Sequence, residues 1–82
     1  METIYLDASG LHSAEDVHSA LKLLLGLPDY YGMNADALHD CLSERTQPPR
    51  LCVRHEADGE AAAALDKVSR VLEDLGGEMI RL

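Results

Sequence analysis

From Thr3 to Asp7 the chain alternates, with Ile4 and Leu6 on one side and Thr3 and Tyr5 on the other. This period of two predicts a strand buried on one face, because successive side chains of a pleated strand point in opposite directions. The period then lengthens. Val17, Leu21 and Leu24 recur at helical spacing behind Ser13, and Asp16, three residues after Ser13, completes a capping box for the first turn. Gly26 and Pro28 stop that helix. Asn34 caps a second helix running to about Glu44, with Ala35, Leu38, Cys41 and Leu42 as its apolar face. The intervening stretch, Leu27 to Met33, reads as a loop whose Tyr30 and Tyr31 look exposed.

After Pro48 and Pro49 the alternation returns. Leu51 and Val53 point inward from Arg50 to Arg54, while Arg50, Cys52 and Arg54 point outward. Asp58 is placed to cap a last helix, whose Ala61, Leu65, Val68, Leu72 and Leu75 form an apolar stripe ending at Gly76 and Gly77. Glu78 to Leu82 completes the pattern as a final strand.

The order β-α-α-β-α-β has a topological consequence. Successive right-handed crossovers advancing in one direction place every helix on the same side of a parallel sheet. The expectation is a two-layer α/β fold: a three-stranded parallel sheet in the order 1-2-3 with about three helices on one face. Half-polar strands agree, since a parallel sheet covered on both faces carries continuous apolar runs. No internal repeat or linker interrupts the chain, so residues 1–82 are expected to form a single domain.

Composition narrows the function. With 82 residues there is chain for one small core and little scaffold for a walled catalytic cleft. Fifteen acidic residues against seven Lys+Arg give a formal charge of -8, which repels nucleic acid and anionic membranes and attracts cationic partners. The opening METIYLDASG has neither a basic nor an apolar export region, and the apolar run around Leu23 to Leu25 is too short to span a bilayer. Cys41 and Cys52 are read as reduced, small apolar residues. These features together lead us to expect a cytoplasmic protein.

The chemistry concentrates on the second helix. Asp36, Asp40 and Glu44 recur at i, i+4 and i+8 with no Lys or Arg inside the helix to neutralise them. Like charges at this spacing cost a helix roughly 0.2–0.5 kcal/mol per pair, so the stripe works slightly against its own helix. A row of charge is commonly just the solvated side of an amphipathic helix. Here it follows directly on Tyr30, and an aromatic beside carboxylates is the composition of a surface for a cationic target. The spacing of Asp36, His39 and Asp40 also permits a metal or acid–base reading, but no motif supplies a fourth ligand. His12, His18 and His55 are scattered and read as surface residues, and Cys41 lies on an apolar face where a thiol is inert. No catalytic residue, metal or cofactor is expected.

The segment LPDYYGMNADALHDCL, Leu27 to Leu42, resembles the signature of the barstar family, intracellular inhibitors of barnase-like ribonucleases. The likeness combines Leu-Pro-acid-Tyr-Tyr-Gly, an Asn cap, and Asp-Ala-Leu followed by Asp-Cys-Leu, and it extends more loosely along the whole chain. It implies the same three-stranded parallel sheet, and a helix with its preceding loop that plugs a nuclease active site, carboxylates standing where RNA phosphates bind. By position, the resemblance makes Asp40 the central anion, Asp36 its neighbour and Tyr30 the loop aromatic. It places Gly32, Asn34 and Ala35 on the contacting rim and Asp74 as a further acidic contact. His39 stands where the family commonly has tryptophan, and Glu44 and Arg45 replace a Gly-aromatic pair; His39 and Glu44 are kept among the contacts. The short His55 to Gly59 link implies that a small helix of the family is missing. The implied partner is a basic, extracellular-type ribonuclease or a related toxin, bound by an inhibitor that is monomeric when free. The altered positions leave open an immunity or regulatory protein acting on a different toxin or a non-nuclease partner.

Overall fold

The computed structural model describes residues 2–82. Its strands are β1 (Thr3–Asp7), β2 (Arg50–Arg54) and β3 (Glu78–Arg81), and its α-helices are α1 (Ala14–Leu25), α2 (Ala35–Ser43) and α3 (Gly59–Asp74). A 3-10 turn, Ala8–Gly10, follows β1. The strands are parallel in the order β1-β2-β3, with Ile4 opposite Leu51 and Leu51 opposite Met79. This is the expected topology, and no helix intervenes between β2 and α3.

The core lies between sheet and helices. Ile4, Leu6, Leu51 and Val53 supply its floor, and Val17, Leu21, Leu38, Leu42, Leu65, Val68 and Leu72 close it from above. Each such side chain is worth about 1.5–3 kcal/mol when fully buried, so the apolar faces, more than helix propensity, fix where the helices sit. Local signals act at the ends. The Ser13–Asp16 capping box forms in full. Gly26 adopts φ 64°, and the Leu27 N–H reaches the Lys22 carbonyl at 2.9 Å, closing α1 with a Schellman turn. Gly76 and Gly77 end α3 the same way, with the Gly77 N–H on the Leu72 carbonyl at 2.7 Å.

Some details depart from the pattern. Leu25, not Leu24, continues the buried face of α1, and Leu24 is exposed. His18 is buried on that face rather than lying at the surface. Cys52, expected outward, does point to the open side of the sheet but is buried, because it is small and sits between Tyr5 and Ile80 in the central strand. Asp58 occupies the N-cap position of α3 without making a side-chain cap hydrogen bond. Both cysteines are free thiols. None of the described helices is long and apolar enough to cross a membrane.

Candidate protein-binding surface

Sequence and packing fix α2 at three places. Leu38 and Leu42 are buried and fasten its inner side, while Ala35, Ala37 and Cys41 are partly buried at its margins. The Asn34 side chain works in two directions: its Oδ1 accepts from the Ala37 N–H at 2.8 Å, and its Nδ2 donates to the Gly32 carbonyl at 3.0 Å. One residue therefore caps the helix and folds the loop onto it. Beyond the other end, the Arg45 guanidinium donates to the Leu25 carbonyl at the end of α1 and lies 3.5 Å from Glu2.

The loop is tightly specified. Tyr31 donates its backbone N–H to Pro28 at 3.0 Å, and Met33 holds φ 59°, a left-handed conformation that is uncommon for a side chain of that size. A Cβ on Gly32 would stand 3.1 Å from Ala37 Cβ, a tight approach that glycine spares where the loop meets the first turn of α2. The two tyrosines part company. Tyr30 is 84% exposed, whereas Tyr31, which the sequence placed beside it in the open, is buried. The Tyr31 hydroxyl meets His18 Nδ1 at 2.6 Å and reaches the Asn34 carbonyl at 3.4 Å. Burial, with Cys41 nearby, pushes the Tyr31 phenol up to about 12, and burial pushes the His18 imidazole below its ordinary value, so both are neutral at neutral pH.

Outside this frame stand the charges. Asp36 and Asp40 are exposed on α2, and Glu44 is exposed one residue past its last turn, with His39 half-buried between the two aspartates. Among the described residues, none of these three carboxylates forms an ion pair. Arg45, the nearest cation in sequence, is drawn away toward Leu25 and Glu2. Tyr30, Asp40 and Glu44 line one open groove together with Gly26, Leu27, Pro28, Cys41 and Arg45. Asp74 is exposed in the last turn of α3 and outside the lining of that groove. Asp36, His39 and Asp40 do not converge on a point: among the described residues, no group of three or more His, Cys, Asp or Glu side chains is placed to hold a metal ion.

The sequence reading missed His18, Tyr31 and Arg45. A signal existed for His18, which lies three and seven residues before Leu21 and Leu25, on their face of α1. A polar group at such a position needs a hydrogen-bond partner, and the nearby phenol supplies it. Nothing in the spacing of Arg45 pointed to the carbonyl it reaches.

Comparisons with known proteins identify the family of the chain. A Bacillus subtilis (strain 168) protein named "Putative ribonuclease inhibitor YrdF" is 46% identical over 43 residues, which cover 52% of this chain and 47% of that relative. The match thus spans about half the length of the curated relative. The family model Barstar (barnase inhibitor) matches residues 1–79, nearly the whole fold with α2 and its loop inside it, and the chain belongs to that family.

Proposed function

We propose that this protein inhibits a basic ribonuclease of the barnase type by filling its active site with α2 and the Tyr30 loop. A ribonuclease site gathers cations for phosphate, and a carboxylate held there forms charge-assisted hydrogen bonds in a desolvated centre. The observation that carries the reading is the row Asp36, Asp40 and Glu44, without ion pairs among the described residues, beside an exposed Tyr30 on a tightly held loop. Such a row costs its own helix stability, and a cationic partner offsets that cost. Asp40 is the central contact, Asp36 and Tyr30 flank it, and Gly32, Asn34, Ala35, His39 and Glu44 form the rim, with Asp74 as an outlying acidic contact.

In this reading the protein binds and does not catalyse, acts in the cytoplasm as a monomer, and needs no cofactor. Titrating it into a barnase-like ribonuclease while following RNA cleavage tests the proposal: stoichiometric loss of cleavage supports it, and undiminished cleavage at excess inhibitor refutes it. His39 favours a second reading. A half-buried imidazole between the two aspartates changes the surface at the centre of the acidic row, which suits an immunity or regulatory protein matched to a different toxin. Capture of its partner from the native cell, followed by a ribonuclease assay of what is captured, separates the two.

A further inference from the structure

We propose that His18 is a positioning residue for the inhibitory loop: through Tyr31 it fixes the distance between Tyr30 and Asp40. The inference rests on the reading of α2 and its loop as the inhibitory surface. His18 is 4% exposed, on the core face of α1, where an aliphatic residue would pack without needing a partner. Its ring lies 5.9 Å from that of Tyr31, tilted by 52°, with Nδ1 2.6 Å from the hydroxyl. The same hydroxyl faces the Asn34 carbonyl, which also accepts the Leu38 N–H at 3.0 Å in the first turn of α2. A continuous polar path therefore runs from α1 through the loop to the start of α2.

Apart from the Leu27 N–H on the Lys22 carbonyl at its start and the Asn34 cap on the Ala37 N–H at its end, the loop's other hydrogen bonds are internal to it. Tyr31 N–H to Pro28 and Asn34 Nδ2 to Gly32 shape the turn but do not say where it sits on the body of the protein. An open groove of about 460 Å³ runs along this flank beside His18, Met33, Asn34 and Ala35. The charged groups lining it are Glu15 from α1 and Glu60 and Lys67 from α3, while α2 and its cap contribute only the uncharged Ala35 and Asn34. None of them forms a hydrogen bond to the imidazole, so Tyr31 is its polar partner among the described residues. With Met33 in a strained conformation next to the cap, the turn needs an outside anchor to stay in one arrangement. An unanchored loop visits the binding-competent arrangement for only part of the time, and apparent affinity falls by that fraction.

The test uses full-length His18→Leu, His18→Asn and Tyr31→Phe proteins. Two quantities are read: amide hydrogen exchange at Tyr31 relative to Val68 in α3, and inhibition of a barnase-like ribonuclease under conditions where every variant is folded. His18→Leu and Tyr31→Phe are expected to speed exchange at Tyr31 selectively and to weaken inhibition by roughly threefold to tenfold, the worth of one hydrogen bond. His18→Asn, whose amide group can take the place of Nδ1, is expected to recover much of both. If His18→Leu and Tyr31→Phe leave exchange at Tyr31 as in wild type, the anchor does not exist. If exchange quickens equally in loop and core while folded protein inhibits undiminished, His18 is a core residue without a positioning role. Failure of the wild type to inhibit any ribonuclease overturns the function instead, and the exchange comparison then still decides the anchor.

Discussion

Replacing Asp40 by alanine removes the carboxylate at the centre of the proposed contact. In the free protein that carboxylate is exposed and without an ion pair among the described residues, so nothing internal is lost. Stability should change by no more than about 0.5 kcal/mol, and relief of repulsion with Asp36 and Glu44 makes the sign favourable. Binding responds differently. Once docked, Asp40 is closed over by the partner, and its removal strands desolvated cations on the nuclease at a cost of about 3–5 kcal/mol. At about 1.4 kcal/mol per decade this is a loss of roughly two to nearly four orders of magnitude in affinity. Glu44, past the end of α2 and open to water, should cost at most about 1 kcal/mol, or about fivefold. The assay is a titration of ribonuclease activity with wild type, Asp40→Ala and Glu44→Ala, each accompanied by a thermal unfolding curve. Asp40→Ala that unfolds with wild type and inhibits equally well would show that the acidic face of α2 is not the inhibitory surface.

Association with a basic nuclease should be steered by the charge of -8, so stopped-flow association rates should drop steeply as the Debye length shrinks from about 30 Å at 0.01 M to about 8 Å at 0.15 M salt; a flat profile argues against active-site docking. His18 is held neutral in the fold while the unfolded chain protonates at its ordinary value of 6.5, so the fold binds fewer protons; stability should be level above that value and fall as pH drops through it toward the lowered folded value. Urea unfolding at pH 7.5 and 5.5 reads this slope, and His18→Leu should flatten it. Asp7, lowered from 3.8 to about 2 chiefly by the Ser9 backbone N–H, acts in a separate window, its contribution present above 3.8 and lost on acidification toward 2. Gly77→Ala should destabilise by about 1–3 kcal/mol, because its Cβ would stand 2.6 Å from the Pro49 carbonyl oxygen, whereas Gly10→Ala, with open space around it, should lie within about 0.5 kcal/mol of wild type by chemical denaturation.

The elements were legible because each carries its own period and punctuation. Ile4 and Leu6 alternate, Leu38 and Leu42 recur at four, and Ser13, Asn34 and Gly26 mark ends by local hydrogen bonding that needs no distant partner. The acidic stripe was legible for the same reason, since i and i+4 share a helix face wherever the helix lies. What stayed hidden depended on neighbours far along the chain. Cys52 lies between Tyr5 and Ile80 of the neighbouring strands, and the buried Tyr31 hydroxyl finds its partner on an imidazole thirteen residues earlier. Asp58 has the right identity for a cap but makes no side-chain cap hydrogen bond, a detail that spacing does not encode.

Arg45 on the Leu25 carbonyl and Tyr31 on His18 moor the stretch between them to α1 at both ends. Positions 36, 39, 40 and 44 lie between the moorings and contribute to neither. On the proposed reading, substitutions at these positions change the surface that chooses a partner while the sheet and both moorings stay as they are. Two proteins built on this scaffold would then share every strand and still differ in the partner they bind.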